Sequence, residues 1–299
     1  MPYPIAKNEN LRCIAFMILA MAGFAIEDAV IKELSITMPV SQILLLMGLT
    51  GIFTFGFLAK IRKIQLLASE VYNLRFIART LSELAAAIFF VTSIVHASLS
   101  ISSAILQATP LIVTLSGAIF LKQRVSIGQW CFILIGFFGV LLVIQPGRDG
   151  FQPAAIFAIV AVFFLALRDT ITRLISVSIP AVTISFWAFF ALLLAGILTI
   201  PLFSVFVPVT SSDLLLLVVA ATAGTGAYLS VVLATRAGDV ATVAPFRYTR
   251  LIFALGLAIF IFDETVNGLM LTGSAIIICS GIFMLTMEER QPESNLKSN

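Results

Sequence analysis

Charged side chains lie deep inside several long apolar stretches of this sequence. They include Glu27, Glu83 and Arg168, together with Arg79, which lies only one turn from the end of its stretch. An ionised group at the centre of a membrane helix costs about 3 kcal/mol on insertion scales, so each group needs a partner, a water-filled cavity or a ligand. Carboxylates and guanidiniums together could bind a solute that carries both signs of charge. We therefore expect these side chains to line a polar cavity.

Sequence spacing leaves a structural alternative open for the pair in the third stretch. Arg79 and Glu83 are four residues apart, so on a helix they could simply neutralise each other. Glu83 is the deeper of the two. It is therefore the better candidate for a carboxylate that binds a proton or an ammonium group.

Two further acid–base pairs with this spacing occur near predicted helix ends. Asp28 precedes Lys32 by four residues, and Asp169 precedes Arg173 by four. Such pairs could form within one helix and extend to the lipid headgroups without any role in function. The sequence alone does not decide between this arrangement and a place in the cavity.

Proline interrupts the fourth and ninth apolar stretches. The residues of interest there are Gln107, Pro110, Pro245, Arg247 and Tyr248. Proline in a helix frees the carbonyl four residues before it, and broken helices are where transporters place sites and hinges. We therefore expect hinges at the two prolines and cavity positions for the other three residues. Arg247, or Arg250 on the same helical face, could bind a substrate carboxylate unless both extend to the headgroups. Tyr228 could add a polar tip and a stacking face to the same cavity.

The elements that hold these residues are predicted to be membrane helices. The chain has 299 residues, of which 60% are hydrophobic and 11% are charged, and its mean hydropathy is +1.11. This composition requires lipid as the solvent. Apolar stretches of about 20 residues predict ten spans. They cover residues 11–31, 40–59, 75–95, 101–121, 127–144, 153–174, 181–201, 213–235, 240–261 and 267–287. The predicted fold class is all-α integral membrane.

Basic residues divide unequally between the two ends of these spans. Alternating the spans places twelve Lys and Arg residues on one face and two, Lys32 and Arg148, on the other. Because cytoplasmic loops carry the excess of basic residues, both termini are predicted to be cytoplasmic, with the protein in the inner membrane. The net charge of +3 has the same origin, so it does not indicate binding to nucleic acid.

The two halves of the chain resemble each other. Ala25–Lys32 aligns with Ala166–Arg173 at an offset of 141 residues, and weaker matches follow at similar offsets. Each half holds five spans, an odd number, so the halves must have opposite orientations in the membrane. We predict two inverted five-helix repeats, over 11–147 and 150–287, followed by a polar cytoplasmic tail over 288–299.

These features resemble the drug/metabolite transporter superfamily, in particular its EamA-type members. The motifs that carry the resemblance are Ala108–Val113, Gly136–Val140, Gln145–Gly147, Ala244–Arg250, Phe262–Glu264, Gly273 and Gly281. The resemblance implies two inverted five-helix repeats and the transport of amino acids, drugs, nucleosides or other metabolites. One departure stands out. Such proteins usually carry a Glu at the end of the fourth helix, where this chain has Gln123 or Arg124, and only the second half keeps it, as Glu264.

A secondary transporter is the function that these patterns favour, working by alternating access through a central cavity between the repeats. The resemblance implies export, and the mixed charges favour small zwitterionic metabolites, with neutral or aromatic amino acids first. A drug or nucleoside permease of the same fold is the alternative. The coupling ion stays open, with a proton as one candidate. We expect no cofactor, and the chain is compatible with a monomer in the lipid bilayer.

An intramembrane enzyme and a channel are the competing classes of function. An enzyme would need a nucleophile with its base, or clustered metal ligands, at membrane depth. The only histidine, His96, falls at a predicted external helix end, and the three cysteines are not at metal-ligand spacing. We therefore predict that the protein is not an enzyme and has no catalytic residue or metal site. A channel fits an inverted repeat less well than a transporter does.

Overall fold

The computed structural model describes residues 7–120, 126–147, 151–172, 174–176, 178–202, 206–237 and 243–289. Every regular element in these ranges is helical. The α-helices are α1 (Lys7–Leu34), α2 (Val40–Arg62), α3 (Leu74–His96), α4 (Leu99–Leu106), α5 (Thr109–Phe120), α6 (Ile127–Ile144), α7 (Ala155–Thr172), α8 (Ala181–Thr199), α9 (Ser211–Ala237), α10 (Thr249–Phe262) and α11 (Gly268–Glu289). Two 3-10 helices, Ser69–Tyr72 and Ala244–Tyr248, precede α3 and α10.

In the described ranges these helices form ten apolar segments. Within the described ranges, nine segments are long and apolar enough to cross a membrane, and the shorter apolar helix Gly268–Met284 follows them. One of the nine combines α4 with α5, and another combines the second 3-10 helix with α10. The prediction of an all-α membrane protein with ten helices is confirmed, with small shifts at the ends of the spans.

Proline breaks the fourth and ninth segments, as expected. In the fourth, helix α4 ends at Leu106 and α5 begins at Thr109, because Pro110 cannot donate to the carbonyl four residues earlier. The Thr109 hydroxyl donates to the freed Leu106 carbonyl instead, at 2.6 Å. In the ninth, Pro245 stands in the first turn of the 3-10 helix. The second predicted free carbonyl, that of Ala241, lies outside the described residues.

Local signals that begin helices recur at one offset. Helix α2 follows Pro39 and helix α8 follows Pro180, at an offset of 141 residues. Ser126 caps α6, and Asn267 accepts from a backbone N–H at the start of α11, at the same offset. Equivalent helices of the two halves therefore begin at equivalent residues.

Helix packing also follows the repeat. In the repeat, α1 is equivalent to α7, and α9 is equivalent to α3. Helix α1 packs on α9, and α7 packs on α3. Helices α2 and α8 are equivalent and pack on each other, as are α6 and α11. At the last contact a side chain on Gly139 would meet the carbonyl of Gly273 at 2.9 Å, so glycine permits this close approach. Exchanging the halves thus maps the main helix contacts onto themselves, as an inverted repeat requires.

Large apolar side chains cover the outer surface of this bundle. Phe260 is 87% exposed and Phe53 is 74% exposed. Of the cysteines, Cys13 is buried, whereas Cys131 and Cys279 are exposed on the helix surface. Only lipid makes such a surface favourable, because exposed apolar patches of this extent are rare on soluble proteins.

Candidate functional site

Glu83 on α3 links two guanidinium groups from different repeats. Its Oε2 accepts from Arg79 Nη2 at 2.9 Å, and its Oε1 accepts from Arg168 Nη1 at 2.9 Å. Arg168 in turn lies 2.8 Å from Asp169 Oδ1. The four groups alternate in sign and sum to zero charge when all are ionised. The expected pairing of Arg79 with Glu83 is present, and it extends across the α3–α7 contact.

Part of the Arg79 guanidinium has no partner. Its side chain is buried, and neither Nε nor Nη1 makes a hydrogen bond within the described part of the chain. A buried donor without a partner costs about 1–3 kcal/mol. These donors therefore favour a water molecule or an acidic group of a solute beside the α3–α7 cluster.

Asp28 on α1 pairs across the repeats with Arg250 on α10. Its Oδ2 accepts from Arg250 Nη2 at 2.6 Å and from Nε at 3.1 Å. The guanidinium also lies over the rings of Phe24, at 5.1 Å, and Phe90, at 5.6 Å. The suggested pairing of Asp28 with Lys32 within α1 is therefore wrong. Arg250 donates two hydrogen bonds to the buried carboxylate of Asp28, whereas Lys32 donates to backbone carbonyls at the end of α3.

Lys32 and Glu264 form a second contact between the repeats. Lys32 Nζ lies 3.6 Å from Glu264 Oε1 and donates to two carbonyls at the end of α3. Glu264 also accepts from the backbone N–H groups of Leu99, at 2.7 Å, and Ser100, at 3.0 Å. It therefore caps the positive end of α4. Lys32 is thus held at a helix junction by these contacts.

The first-half equivalents of Lys32 and Glu264 lie outside the described residues. Gln123 and Arg124, which replace the family's usual Glu, lie outside the described residues, and so does Arg173, the equivalent of Lys32. The pairing suggested for Asp169 with Arg173 is likewise outside the described part. Asp169 instead contacts its neighbour Arg168.

Glu27 takes part in none of these ion pairs, although Asp28 and Arg250 are within electrostatic range of it. It is half-buried on α1 and makes no hydrogen bond or ion pair with any residue that the structure describes. Its carboxyl group lies against the backbone of α9, where a Cβ added to Gly224 would be 2.6 Å from Glu27 Cδ. Glycine at this position is therefore what leaves room for the carboxylate.

Tyr228 follows Gly224 by one turn on α9. Its ring meets Phe24 edge-on at a centroid distance of 5.5 Å, and it packs against Phe55 and Phe189 of the second and eighth helices. Its hydroxyl is within electrostatic range of both Glu27 and Glu83. The tyrosine ring thus packs where α9 meets α1, α2 and α8.

The remaining predicted residues lie around the two helix breaks. Arg247 is exposed and has no ion pair within the described ranges, although it is within electrostatic range of Asp169. Gln107 is buried at the end of α4, and its Nε2 makes no hydrogen bond within the described part of the chain. Tyr248 is buried, and its ring packs against Gly281. Cavity roles for these three residues, and hinge roles for Pro110 and Pro245, stay predictions.

Sequence reasoning named two residues that build this region but did not predict their partners. Arg250 and Glu264 hold the charged residues of α1, at sequence separations of 222 residues for Arg250–Asp28 and 232 for Glu264–Lys32. Only their charge pointed to a partner in the sequence. Each is an ionisable residue within or at the end of the ninth apolar stretch, so each was expected to have an opposite charge nearby.

Known proteins share this architecture. A solved crystal structure superposes with a TM-score of 0.61 over 96% of this chain and 99% of its own, at 16% identity, which shows a common fold. The S-adenosylmethionine uptake transporter of Rickettsia conorii is 25% identical over 182 residues. That match covers 60% of this chain and only 61% of the Rickettsia protein.

Two further relatives transport other compounds. The riboflavin transporter of Vibrio cholerae is 24% identical over 63% of this chain and 63% of its own length. The pseudopaline exporter CntI of Pseudomonas aeruginosa is 24% identical over 90% of this chain and 94% of its own. The model of the EamA-like transporter family matches residues 11–145 and again residues 152–287. With both halves of the chain matched in this way, the protein belongs to the EamA-like transporter family.

Proposed function

We propose that this protein exports small zwitterionic metabolites, with neutral and aromatic amino acids first, through a polar cavity between its two repeats. Family membership makes it a secondary transporter of small metabolites and not an enzyme. The substrate and the direction of transport are the proposed part. One observation carries the choice of substrate, namely which charges at membrane depth are left without a protein partner.

The charged side chains that we assign to the cavity and its surroundings are balanced. The acids are Glu27, Asp28, Glu83 and Asp169, and the bases are Arg79, Arg168, Arg247 and Arg250. Asp28 and Arg250 neutralise each other, and so do the four members of the α3–α7 cluster. Within the described ranges this leaves Glu27 and Arg247 unpaired. One carboxylate and one guanidinium complement the ammonium and the carboxylate of a zwitterion.

The relatives support parts of this proposal. S-adenosylmethionine, the substrate named for the Rickettsia relative, contains an amino-acid group with both charges. The relative aligned over 90% of this chain is named as an exporter, which favours export here. Riboflavin, named for another relative, lacks an amino-acid group. Together with the aromatic contacts of Tyr228, it favours a permease for aromatic heterocycles as the second candidate.

Competition of transport in liposomes tests the proposal. Purified protein would exchange internal unlabelled for external labelled phenylalanine, with phenylalaninamide, phenethylamine, S-adenosylmethionine and riboflavin as competitors. We expect phenylalanine to compete at least about tenfold better than its amide or amine, the equivalent of about 1.4 kcal/mol for recognition of the carboxylate. Equal competition by all three would remove the carboxylate from recognition. Competition by riboflavin alone would favour the second candidate.

A further inference from the structure

The repeat offset relates two helix contacts that differ in chemistry. Adding 141 to the residue number takes Glu83 to Gly224, and subtracting 141 takes Arg168 to Glu27. The Glu83–Arg168 contact between α3 and α7 therefore corresponds to the Gly224–Glu27 contact between α9 and α1. Both contacts exist. The first is an ion pair of 2.9 Å, and in the second the carboxyl group of Glu27 lies against the backbone of α9 at Gly224.

Burial supports the same alignment of α3 with α9. Along α3, the residues Phe76, Arg79, Glu83 and Ala86 are buried, and 141 positions later Leu217, Ala220, Gly224 and Ala227 are buried as well. Two helices that present the same face to equivalent partners give such a pattern. The two contacts are thus copies of one site, occupied by different residues.

The first copy is chemically complete and the second is not. On α3, the side chains of Arg79 and Glu83 provide both signs of charge to Arg168. At the equivalent places on α9 stand Ala220 and Gly224, which have no polar side-chain atom. Glu27 therefore faces α9 with a carboxylate and receives no basic side chain from it. Its neighbour Asp28 is already taken by Arg250.

The unpaired carboxylate of Glu27 determines which solute group could bind there. A carboxylate at membrane depth is unfavourable without a positive partner, and the missing side chain at Gly224 is what lets the Glu27 carboxyl group lie against α9. The ring of Phe24, one turn earlier on α1, contacts Arg250 at 5.1 Å and Tyr228 edge-on. A primary ammonium group matches the unpaired carboxylate because it carries a positive charge and donates up to three hydrogen bonds. A hard metal ion would need several more oxygen ligands than this site offers.

We propose that Glu27, set against Gly224, binds the ammonium group of the transported solute, in the repeat copy of the Glu83–Arg168 ion pair. The solute thus supplies the positive charge that the protein supplies in the other copy. This inference rests on the proposed transport function and adds which residue recognises the amino group.

Three probes separate the groups of the solute. Phenylalanine carries both charges, phenethylamine carries only the ammonium, and 3-phenylpropionate carries only the carboxylate. Binding to the purified protein would be measured as ligand-induced thermal stabilisation for the wild type and for Glu27→Gln. The control is Glu33→Gln, an exposed acid six residues later on α1. We expect Glu27→Gln to weaken the two ammonium probes by at least about tenfold relative to 3-phenylpropionate, and Glu33→Gln to leave all three unchanged.

Other outcomes would overturn the assignment. If Glu27→Gln keeps the wild-type ratio between phenethylamine and 3-phenylpropionate, Glu27 is not the ammonium site. A wild type without preference for the ammonium probes overturns it too. If instead phenylalanine and phenethylamine bind equally well to the wild type, the proposed zwitterion function fails while the Glu27 subsite survives.

A second variant covers the case in which Glu27→Gln does not fold. Gly224→Ala places a methyl group where the carboxyl group of Glu27 lies, so it should displace Glu27 and weaken the same two probes. Gly226→Ala is the matched control, since a side chain there meets nothing within 4 Å. Equal effects of the two glycine variants on the probe ratio would contradict the subsite.

Discussion

Neutralising Asp28 should destabilise the protein more than any exposed acid on the same helix. In Asp28→Asn, Arg250 would keep its position between Phe24 and Phe90 but lose its negative partner. Asp28 is 3% exposed, and the side chain of Arg250 is 17% exposed. The charge left behind is therefore largely removed from water.

The expected cost follows from this burial. Breaking a buried ion pair by removing one partner costs about 3–5 kcal/mol, and the partial exposure of Arg250 places this case near about 3 kcal/mol. Arg250→Gln should cost slightly more, because it also removes two cation–π contacts of about 0.5–1 kcal/mol each. In the double variant neither charge is left alone. It should therefore be more stable than the sum of the single effects predicts, by about 2 kcal/mol.

Reversible unfolding by SDS in mixed micelles measures these free energies. The control is Glu33→Gln on α1, whose side chain is exposed and whose change should stay within about 0.5 kcal/mol. Additive effects of Asp28→Asn and Arg250→Gln on the free energy of unfolding would mean that the Asp28–Arg250 ion pair does not contribute to stability. A cost for Asp28→Asn as small as that of the control would refute the reasoning as well.

Three further results are expected. Glu83→Gln removes the carboxylate shared by Arg79 and Arg168, so exchange of phenylalanine in liposomes should fall by at least about tenfold at equal expression; undiminished exchange would make the cluster purely structural. Glu264→Ala should lower the free energy of unfolding by about 1–2 kcal/mol. Glu264→Gln should lower it by less, because the amide keeps an acceptor for the α4 N-terminus. A larger loss for Glu264→Gln than for Glu264→Ala would exclude capping. Tags at either terminus should be labelled only after permeabilisation, because the basic residues divide twelve to two between the membrane faces; labelling of intact cells would reverse the topology.

Much of the fold was predictable because lipid allows few solutions. Backbone groups in the bilayer must be satisfied internally, so each long apolar stretch had to be a helix. The position of Pro110 also predicted a break in the fourth span. The break falls two to three residues earlier, between α4 and α5, because the hydroxyl of Thr109 takes over the Leu106 carbonyl.

Ion-pair partners were less predictable. Spacing within one helix predicted the pairing of Arg79 with Glu83, which is present, and equally allowed Asp28 with Lys32, which is wrong. The difference depends on which helix packs across the repeat interface and in which register. Arg250 is 222 residues from Asp28 in the chain, and no local rule connects residues at that separation.

The relation between Glu27 and Gly224 was hidden for another reason. The offset of 141 was visible between the first and sixth spans, but α3 and α9 share few residue types. Ala220 and Gly224 replace Arg79 and Glu83, and these are the charged residues by which a comparison of sequences would have aligned the two helices. Only the shared burial pattern and the observed contacts reveal the equivalence.

An experimental structure with bound phenylalanine would show whether Glu27 binds the ammonium group. We expect this group to lie within hydrogen-bonding distance of the Glu27 carboxylate, beside Gly224, with the solute carboxylate directed toward Arg247. A solute bound away from both residues, or a Glu27 carboxylate paired with a basic side chain of the protein in the bound state, would contradict this expectation.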